Sequence, residues 1–168
     1  MKYENFEDLP VWNAAIEFAV KVYGLTAREE FKGQGSLRDN LERAAVSISN
    51  NIAEGFERGT TQELITFIYI ARGSCGESRS ELHLIHALPR FQQLKSEVSN
   101  LIQDSLSISK QLRAWANSLQ NSEIKGQRYL TDNVRRVSQA SREREEFLEE
   151  LRRQQEDRIA KLRSAGRS

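Results

Sequence analysis

Residues 94–119 read LKSEVSNLIQDSLSISKQLRAWANSL, and their apolar side chains recur at alternating spacings of four and three residues. That spacing places the side chains along one stripe of an α-helix. With one serine included, the stripe consists of Leu94, Val98, Leu101, Ser105, Ile108, Leu112, Trp115 and Leu119. Such a stripe packs at a shallow angle against neighbouring helices. The segment therefore predicts a long helix inside a helical bundle.

Three helical segments precede this one. The first is expected to begin near Asp8, with Pro10 in its first turn, where proline is tolerated. The second starts with Ser36 as its N-cap, and the third opens with Thr60 and Glu63, the spacing of a capping box. In the second segment, apolar residues recur at helical spacing: Leu37, Leu41, Ala44, Ala45, Ile48, Ile52 and Phe56. The pattern predicts four amphipathic helices in all.

The first segment carries more apolar residues than one core face requires. One group comprises Leu9, Trp12, Ile16, Ala19 and Tyr23. The other comprises Val11, Ala15, Phe18, Val22 and Leu25. An apolar arc this wide is unusual for a helix with one face in water. We interpret the second group as an oligomer interface and the first group as the core face.

The third segment has two glycines in its interior, Gly73 and Gly76. Each costs about 1 kcal/mol relative to alanine within a helix. They predict a place where another backbone comes close.

These patterns predict an all-α fold, an antiparallel up-and-down four-helix bundle, over residues 1–123. Turns are expected near residues 31–36, 57–60 and 88–91. Residues 1–123 contain 13 Lys and Arg against 16 Asp and Glu, whereas residues 124–168 contain 12 against 8. We interpret residues 124–168 as a charged C-terminal tail that is helical or partly disordered.

Composition excludes several classes of protein. No apolar run approaches the roughly 20 residues of a membrane-spanning helix, and the N-terminus MKYENFEDLP lacks the apolar region of a signal peptide. Cys75 is the only cysteine, so no intramolecular disulfide can form. A cytoplasmic location is therefore expected.

Candidate catalytic and metal-binding residues are few. His83 and His86 stand three residues apart, but no further ligands complete a metal site. Cys75 lies among small residues, which favours packing over nucleophilic catalysis. Polar residues at the end of the second helix are interpreted as satisfying loop backbone groups rather than as acid–base catalysts: Asn50, Asn51, Glu54, Glu57 and Arg58. We therefore expect no catalytic residue, no bound metal and no cofactor.

Two arginine pairs in the tail could contact the phosphates of a nucleic acid: Arg135, Arg136, Arg152 and Arg153. Five glutamates lie between the pairs: Glu143, Glu145, Glu146, Glu149 and Glu150. A dedicated nucleic-acid-binding tail usually has a stronger basic excess. A solvated charged helix is the competing interpretation.

Three stretches resemble motifs of the 23S rRNA intervening-sequence protein family. They are LPVWNAAIEFAVKVYGLT at Leu9–Thr26, LERAAVSISNNIAEGFER at Leu41–Arg58 and FIYIARGSCGE at Phe67–Glu77. The resemblance implies four antiparallel helices, no established enzymatic activity and homo-oligomers, with pentameric rings in the family. It also extends to the accessory protein of diversity-generating retroelements, which binds nucleic acid beside a reverse transcriptase.

Two functions compete on this basis. The first is a non-enzymatic, self-associating scaffold or adaptor whose partner is itself, as a pentamer. The alternative is a nucleic-acid-binding accessory protein that acts with RNA or a reverse transcriptase. Neither a membrane nor a small-molecule substrate is expected as a partner.

Overall fold

A computed structural model describes residues 3–121, 143–144, 147–150 and 152–153. Four long helices dominate the first of these ranges: α1 (Pro10–Thr26), α2 (Gly35–Glu57), α3 (Thr61–Ala87) and α4 (Lys95–Gln120). Short 3₁₀ turns occupy Phe6–Asp8, Glu29–Phe31 and Pro89–Leu94. No strand occurs among the described residues. The predicted all-α bundle is confirmed.

Each helix packs on its neighbours in chain order. α2 and α4 both pack extensively against α3, and α1 packs on α2 and, less extensively, on α4. α1 and α3 therefore lie diagonally opposite each other across the bundle. Because the connections are short, consecutive helices run in opposite directions, and α1 and α3 run the same way.

The stripe of α4 lies in the core as its spacing predicts. Val98, Leu101, Ile108 and Leu112 are all buried, while the last two members of the stripe are half-buried. At the end of the bundle where α4 begins, the rings of Phe31 and Phe91 meet with centroids 4.7 Å apart. Burial of these side chains is the main stabilising contribution to the fold.

Helix ends agree with the predictions at one place and differ at two. Thr60 Oγ1 accepts a hydrogen bond from the Glu63 backbone N–H at 3.2 Å, which confirms the capping box at α3. The predicted caps at Asp8 and Ser36 are wrong. Asp8 lies inside a 3₁₀ turn that ends before α1, and Ser36 already belongs to α2.

Two hydroxyl hydrogen bonds link α3 to its neighbours inside the bundle. Ser47 Oγ and Ser74 Oγ lie 2.9 Å apart across α2 and α3. Ser105 Oγ donates to the carbonyl oxygen of Cys75 at 2.9 Å across α4 and α3. The second bond gives the buried Ser105 hydroxyl its partner. The first joins two hydroxyls that also bond within their own helices.

Met1–Arg128 and Tyr129–Ser168 form two separate units of the chain. In the second unit, the described residues 143–144, 147–150 and 152–153 are α-helical and exposed. The predicted boundary after residue 123 falls at residues that the structure does not describe, so it stays a prediction.

Candidate self-association surfaces

The predicted oligomer interface on α1 is wrong, because its residues form the core of the protomer. Val11 is 7% exposed, Phe18 is 1% exposed, and Ala15, Val22 and Leu25 are fully buried. They point towards α2 and α4, so a second copy cannot reach them without unfolding the bundle. Of the group expected to face the core, Leu9 and Ala19 do so, whereas Ile16 and Tyr23 are exposed. Periodicity shows that two stripes exist and does not show which one faces inward.

The outward side of α1 carries Trp12, Ile16 and Tyr23 of the other apolar group together with Val20, whereas Leu9 and Ala19 of that group are buried in the core. Ile16 is 37% exposed, Tyr23 is 50% exposed and Val20 is 66% exposed. Trp12 is half-buried beside Phe6, with ring centroids 5.1 Å apart. We call the four residues Trp12, Ile16, Val20 and Tyr23 the α1 stripe. They form a contiguous apolar surface along about three turns of helix.

The outward side of α3 also exposes large apolar side chains. Tyr69 is 42% exposed and Ile70 is 46% exposed. Gly73 and Gly76 follow them along the same side of the helix. We call Tyr69, Ile70, Gly73 and Gly76 the α3 glycine face. Further along α3, Leu84 is 51% exposed.

The two glycines of this face have no packing role within the protomer. A Cβ atom built on Gly73 or Gly76 would meet nothing within 4 Å. The predicted close approach of another backbone is therefore absent here, and it occurs instead at Gly55, whose Cβ would lie 2.6 Å from Phe67 Cβ. Gly73 and Gly76 thus leave a patch of bare helix backbone facing outward.

Polar side chains flank the glycine face on both sides. On the α4 side, the Arg72 guanidinium lies 5.5 Å from the centroid of the Tyr69 ring, and Gln120 of α4 donates to the Tyr69 hydroxyl at 3.2 Å. On the α2 side, a polar groove is lined by Asn40, Arg43, Ala44, Ser47, Glu77, Ser80 and Glu81. The face is therefore an apolar strip with a mixed polar rim, as in protein–protein interfaces.

The surroundings of Glu81 in this groove destabilise its negative charge. One of its carboxylate oxygens is buried and has no hydrogen-bond partner. Burial raises the pKa of Glu81, repulsion from Glu77 raises it further, and Arg43 opposes both effects. The groove therefore disfavours the ionised carboxylate relative to water.

The structure gives Cys75 the surroundings of a packing residue. Its side chain is fully buried, and that burial raises the pKa of the thiol to about 12, although Arg79 and Arg72 lower it in part. A thiol with so high a pKa has almost no thiolate at neutral pH and is a poor nucleophile.

His83 and His86 line a shallow groove with Ser99, Ile102 and Gln103. Within the part of the chain that the structure describes, no three His, Cys, Asp or Glu side chains converge as metal ligands. The expectation that the protein holds neither a metal nor a cofactor stays a prediction.

The polar cluster at the end of α2 is used in structural contacts. Arg58 forms ion pairs with Glu54 at 2.7 Å and with Glu63 at 3.6 Å, and its guanidinium lies over the Phe67 ring. Asn51 donates to the backbone carbonyl of Ser47 at 2.7 Å. The contacts of Arg58 link the end of α2 to the start of α3, whereas the Asn51 bond lies within α2. The interpretation that this cluster satisfies loop backbone groups stays a prediction.

The tail arginines divide into two pairs. Arg152 and Arg153 are exposed helical residues. Arg135 and Arg136 lie outside the described residues. Nucleic-acid contact by these four residues stays a prediction.

Sequence reasoning missed Val20 and the α3 glycine face as surface features. Val20 belonged to neither apolar group of α1, although it follows Ile16 at helical spacing. For α3, the available signal was two glycines beside Tyr69 and Ile70. The direction in which they point depends on how the four helices are arranged.

Among the described helices, none has the length and apolar character needed to span a bilayer.

Comparison with known proteins covers most of the bundle. A family model described as 23S rRNA-intervening sequence protein matches residues 7–114. No curated protein matches the chain. The matched range begins before α1 and ends inside α4, so it includes the residues of both outward apolar surfaces.

Proposed function

The chain belongs to the 23S rRNA-intervening sequence protein family, and from that premise we propose that it is a non-enzymatic, self-associating scaffold or adaptor. The observation that supports this function is the pair of outward apolar surfaces, the α1 stripe and the α3 glycine face. Five large side chains on these surfaces are at least 37% exposed: Ile16, Val20, Tyr23, Tyr69 and Ile70. Trp12, which is half-buried, adjoins them.

Burial of these surfaces would be energetically favourable. Each large apolar side chain transferred from water contributes roughly 1.5–3 kcal/mol when its burial is complete. Association costs at least about 4 kcal/mol in lost translational and rotational freedom. The side chains in question are 37% to 66% exposed in the protomer, so each would gain only the corresponding part of that amount, and several of them together in one contact are needed to drive assembly. Gly73 and Gly76 add room for a second helix to approach the backbone of α3 closely.

Five copies per assembly is the number that the family resemblance favours. We include the pentamer in the proposal on that ground alone. Native mass spectrometry of the full-length chain counts the subunits directly, and a dimer would contradict the pentamer while leaving self-association standing.

Light scattering on the purified full-length protein tests self-association. We expect a mass of several protomers at micromolar concentration, and a single protomer for the variant Val20→Glu combined with Ile70→Glu. Both substitutions are at exposed positions, so the variant should keep the helical circular dichroism spectrum. Ala114→Glu, at an exposed position of α4, is the matched control and should assemble like the wild type. A monomeric wild-type protein would refute the proposal.

The alternative function is a nucleic-acid-binding accessory protein acting with RNA or a reverse transcriptase. The exposed pair Arg152 and Arg153 supports it. If the tail binds phosphates, an RNA gel shift should weaken steeply as salt increases. The fourfold variant Arg135→Glu, Arg136→Glu, Arg152→Glu and Arg153→Glu should then lose the shift. Unchanged binding by this variant would remove the tail as the contact.

A further inference from the structure

The α1 stripe and the α3 glycine face lie on opposite sides of the bundle. α1 and α3 are diagonal neighbours, and each surface points away from the core. A twofold dimer that pairs one surface with its own copy leaves the other surface in water on both protomers. A head-to-tail contact, in which the α1 side of one copy meets the α3 side of the next, covers both.

Contacts to α4 show that the two surfaces also lie at the same height along the bundle. Lys21 of α1 forms an ion pair with Asp104 of α4 at 2.8 Å. The next residue of α4, Ser105, donates to the carbonyl oxygen of Cys75 in α3 at 2.9 Å. Lys21 and Cys75 are therefore level to within about one helical turn of 5.4 Å.

Contacts to α2 give the same height by an independent route. Thr26 of α1 donates to Glu42 of α2, and Ser47 of α2 bonds to Ser74 of α3. Because α2 runs opposite to α1, the five residues from Glu42 to Ser47 cover the same distance and direction along the bundle axis as the five residues from Thr26 back to Lys21. This route places Lys21 level with Ser74, one residue from the result obtained through α4.

Equal height brings a large side chain of α1 opposite bare backbone of α3. Because α1 and α3 run the same way, Ile16 is level with Ile70, and Val20 is level with the turn that contains Gly73. Tyr23 is level with the turn that contains Gly76. Tyr23 lies towards the α2 side of α1, however, and Gly76 lies towards the α4 side of α3. Val20 is therefore the side chain that projects over a place where α3 has none, at Gly73, and the remaining contact is apolar against apolar.

Charge at the rim agrees with this arrangement. Glu17 lies on the α4 side of α1, where it lines a groove with Lys21 and Asp104. Arg72 lies on the α4 side of α3, stacked on Tyr69. In bundles that stand side by side and point the same way, the α4 sides of neighbours coincide. Glu17 of one copy then lies beside Arg72 of the next, at the same height.

Resting on the proposed self-association, we propose that the contact between copies is head-to-tail. The α1 stripe of one copy packs against the α3 glycine face of a second copy, with the bundles parallel and without axial shift. Val20 fills the space over Gly73, and Glu17 pairs with Arg72 at the rim.

Disulfide mapping on the full-length chain tests this contact. The variant Val20→Cys with Gly73→Cys, oxidised with glutathione disulfide, should lose its monomer band on a non-reducing denaturing gel and give a ladder of linked chains. Each single variant should keep the monomer band, because neither cysteine meets its own copy. The native thiol of Cys75 is buried, and the wild type serves as its control.

A height control separates the proposed contact from random collision. Leu84 is exposed on the same helix, about 16 Å further along its axis than Gly73. The variant Val20→Cys with Leu84→Cys should therefore remain unlinked. Linking by this variant, or by either single variant, would overturn the head-to-tail arrangement. If Gly73→Cys impairs assembly by light scattering, Ile16→Cys with Ile70→Cys tests the same contact one turn away.

The two proposals fail in different ways. A monomeric wild type overturns self-association itself. An oligomeric wild type whose Val20→Cys with Gly73→Cys and Ile16→Cys with Ile70→Cys variants both stay unlinked overturns only the head-to-tail contact.

Discussion

Gly55 and Gly73 are both glycines inside a long helix, but their surroundings are opposite. At Gly55, α2 and α3 approach so closely that a Cβ atom would lie 2.6 Å from Phe67 Cβ and 3.3 Å from Leu64 Cδ1. At Gly73 the corresponding space is open. The first glycine is required by the packing of the protomer. Gly73 destabilises its helix, and no contact within the protomer requires a glycine there. The proposed contact with a second copy would require one.

Substitution of the two glycines by alanine should therefore change stability in opposite directions. Gly55→Ala should lower the free energy of unfolding by about 1–3 kcal/mol, because Phe67 Cβ is fixed to the backbone and cannot move aside. Gly73→Ala should raise it by up to about 1 kcal/mol, because alanine favours the helix. Urea denaturation in the Val20→Glu background separates these effects from assembly. A destabilising Gly73→Ala would contradict the open surroundings of that residue.

Glu81 should make stability depend on pH in a defined direction. Burial raises its pKa in the folded state, so the folded protein binds the proton more tightly than the unfolded chain does. The resulting loss of unfolding free energy is absent below the pKa of the unfolded chain, about 4.3. It grows as the pH rises through the pKa of Glu81 in the folded protein. Glu81→Gln should therefore raise the melting temperature at pH 7 and give little gain at pH 4.

The control for this experiment is Glu57→Gln, which makes the same change of charge at an exposed position. Its effect on the melting temperature should be small at both pH values. An equal gain from Glu57→Gln at pH 7 would mean that net charge, rather than the burial of Glu81, causes the effect.

At the scale of the helices, α1 shows where sequence reasoning succeeds and where it stops. The extent of all four helices and the core stripe of α4 follow from periodicity, because a helix in a bundle must bury one face. The existence of two apolar stripes on α1 follows in the same way. Their assignment to core and surface does not, since it depends on where α2 and α4 lie. The caps at Asp8 and Ser36 failed for a local reason, because Leu9 and Gln34 occupy the cap positions without side-chain bonds.

Alanine substitutions on the two sides of α1 should differ strongly. Phe18→Ala should cost about 3–5 kcal/mol of unfolding free energy, because the cavity it leaves is fully buried. Val20→Ala should cost far less in the protomer, because its side chain is 66% exposed. Chemical denaturation followed by circular dichroism compares the two. Equal losses would contradict the assignment of Phe18 to the core.

At the scale of the whole molecule, two unlike surfaces on opposite sides have a consequence for assembly size. A head-to-tail contact closes into a ring only if each step turns by a fixed fraction of a circle, and otherwise it continues as an open chain. The family resemblance favours a ring of five. In the proposed assembly, the bundle of one protomer supplies the contact surfaces, and the angle between successive copies sets the number of copies in the ring.

Sedimentation velocity over a wide range of concentration should distinguish a ring from a chain. A closed ring is expected to give one boundary whose sedimentation coefficient stays constant once assembly is complete. The Val20→Glu variant, which blocks one side of the contact, is expected to sediment as a single protomer throughout. A sedimentation coefficient that keeps increasing with concentration would show an open chain and would contradict the ring.

Ser105 interrupts the apolar stripe of α4, and its hydrogen bond to Cys75 disfavours a shift of α4 along α3 away from the native register. A slide of α4 by seven residues along α3 would keep leucine and isoleucine on the inner side, because the pattern repeats at that interval. The slide would forfeit the hydroxyl bond, worth about 0.5–1.5 kcal/mol net. Ser47 and Ser74 impose the same loss on a slide of α2. These serines contribute little to the free energy of unfolding, but they raise the free energy of the shifted arrangements relative to the native one.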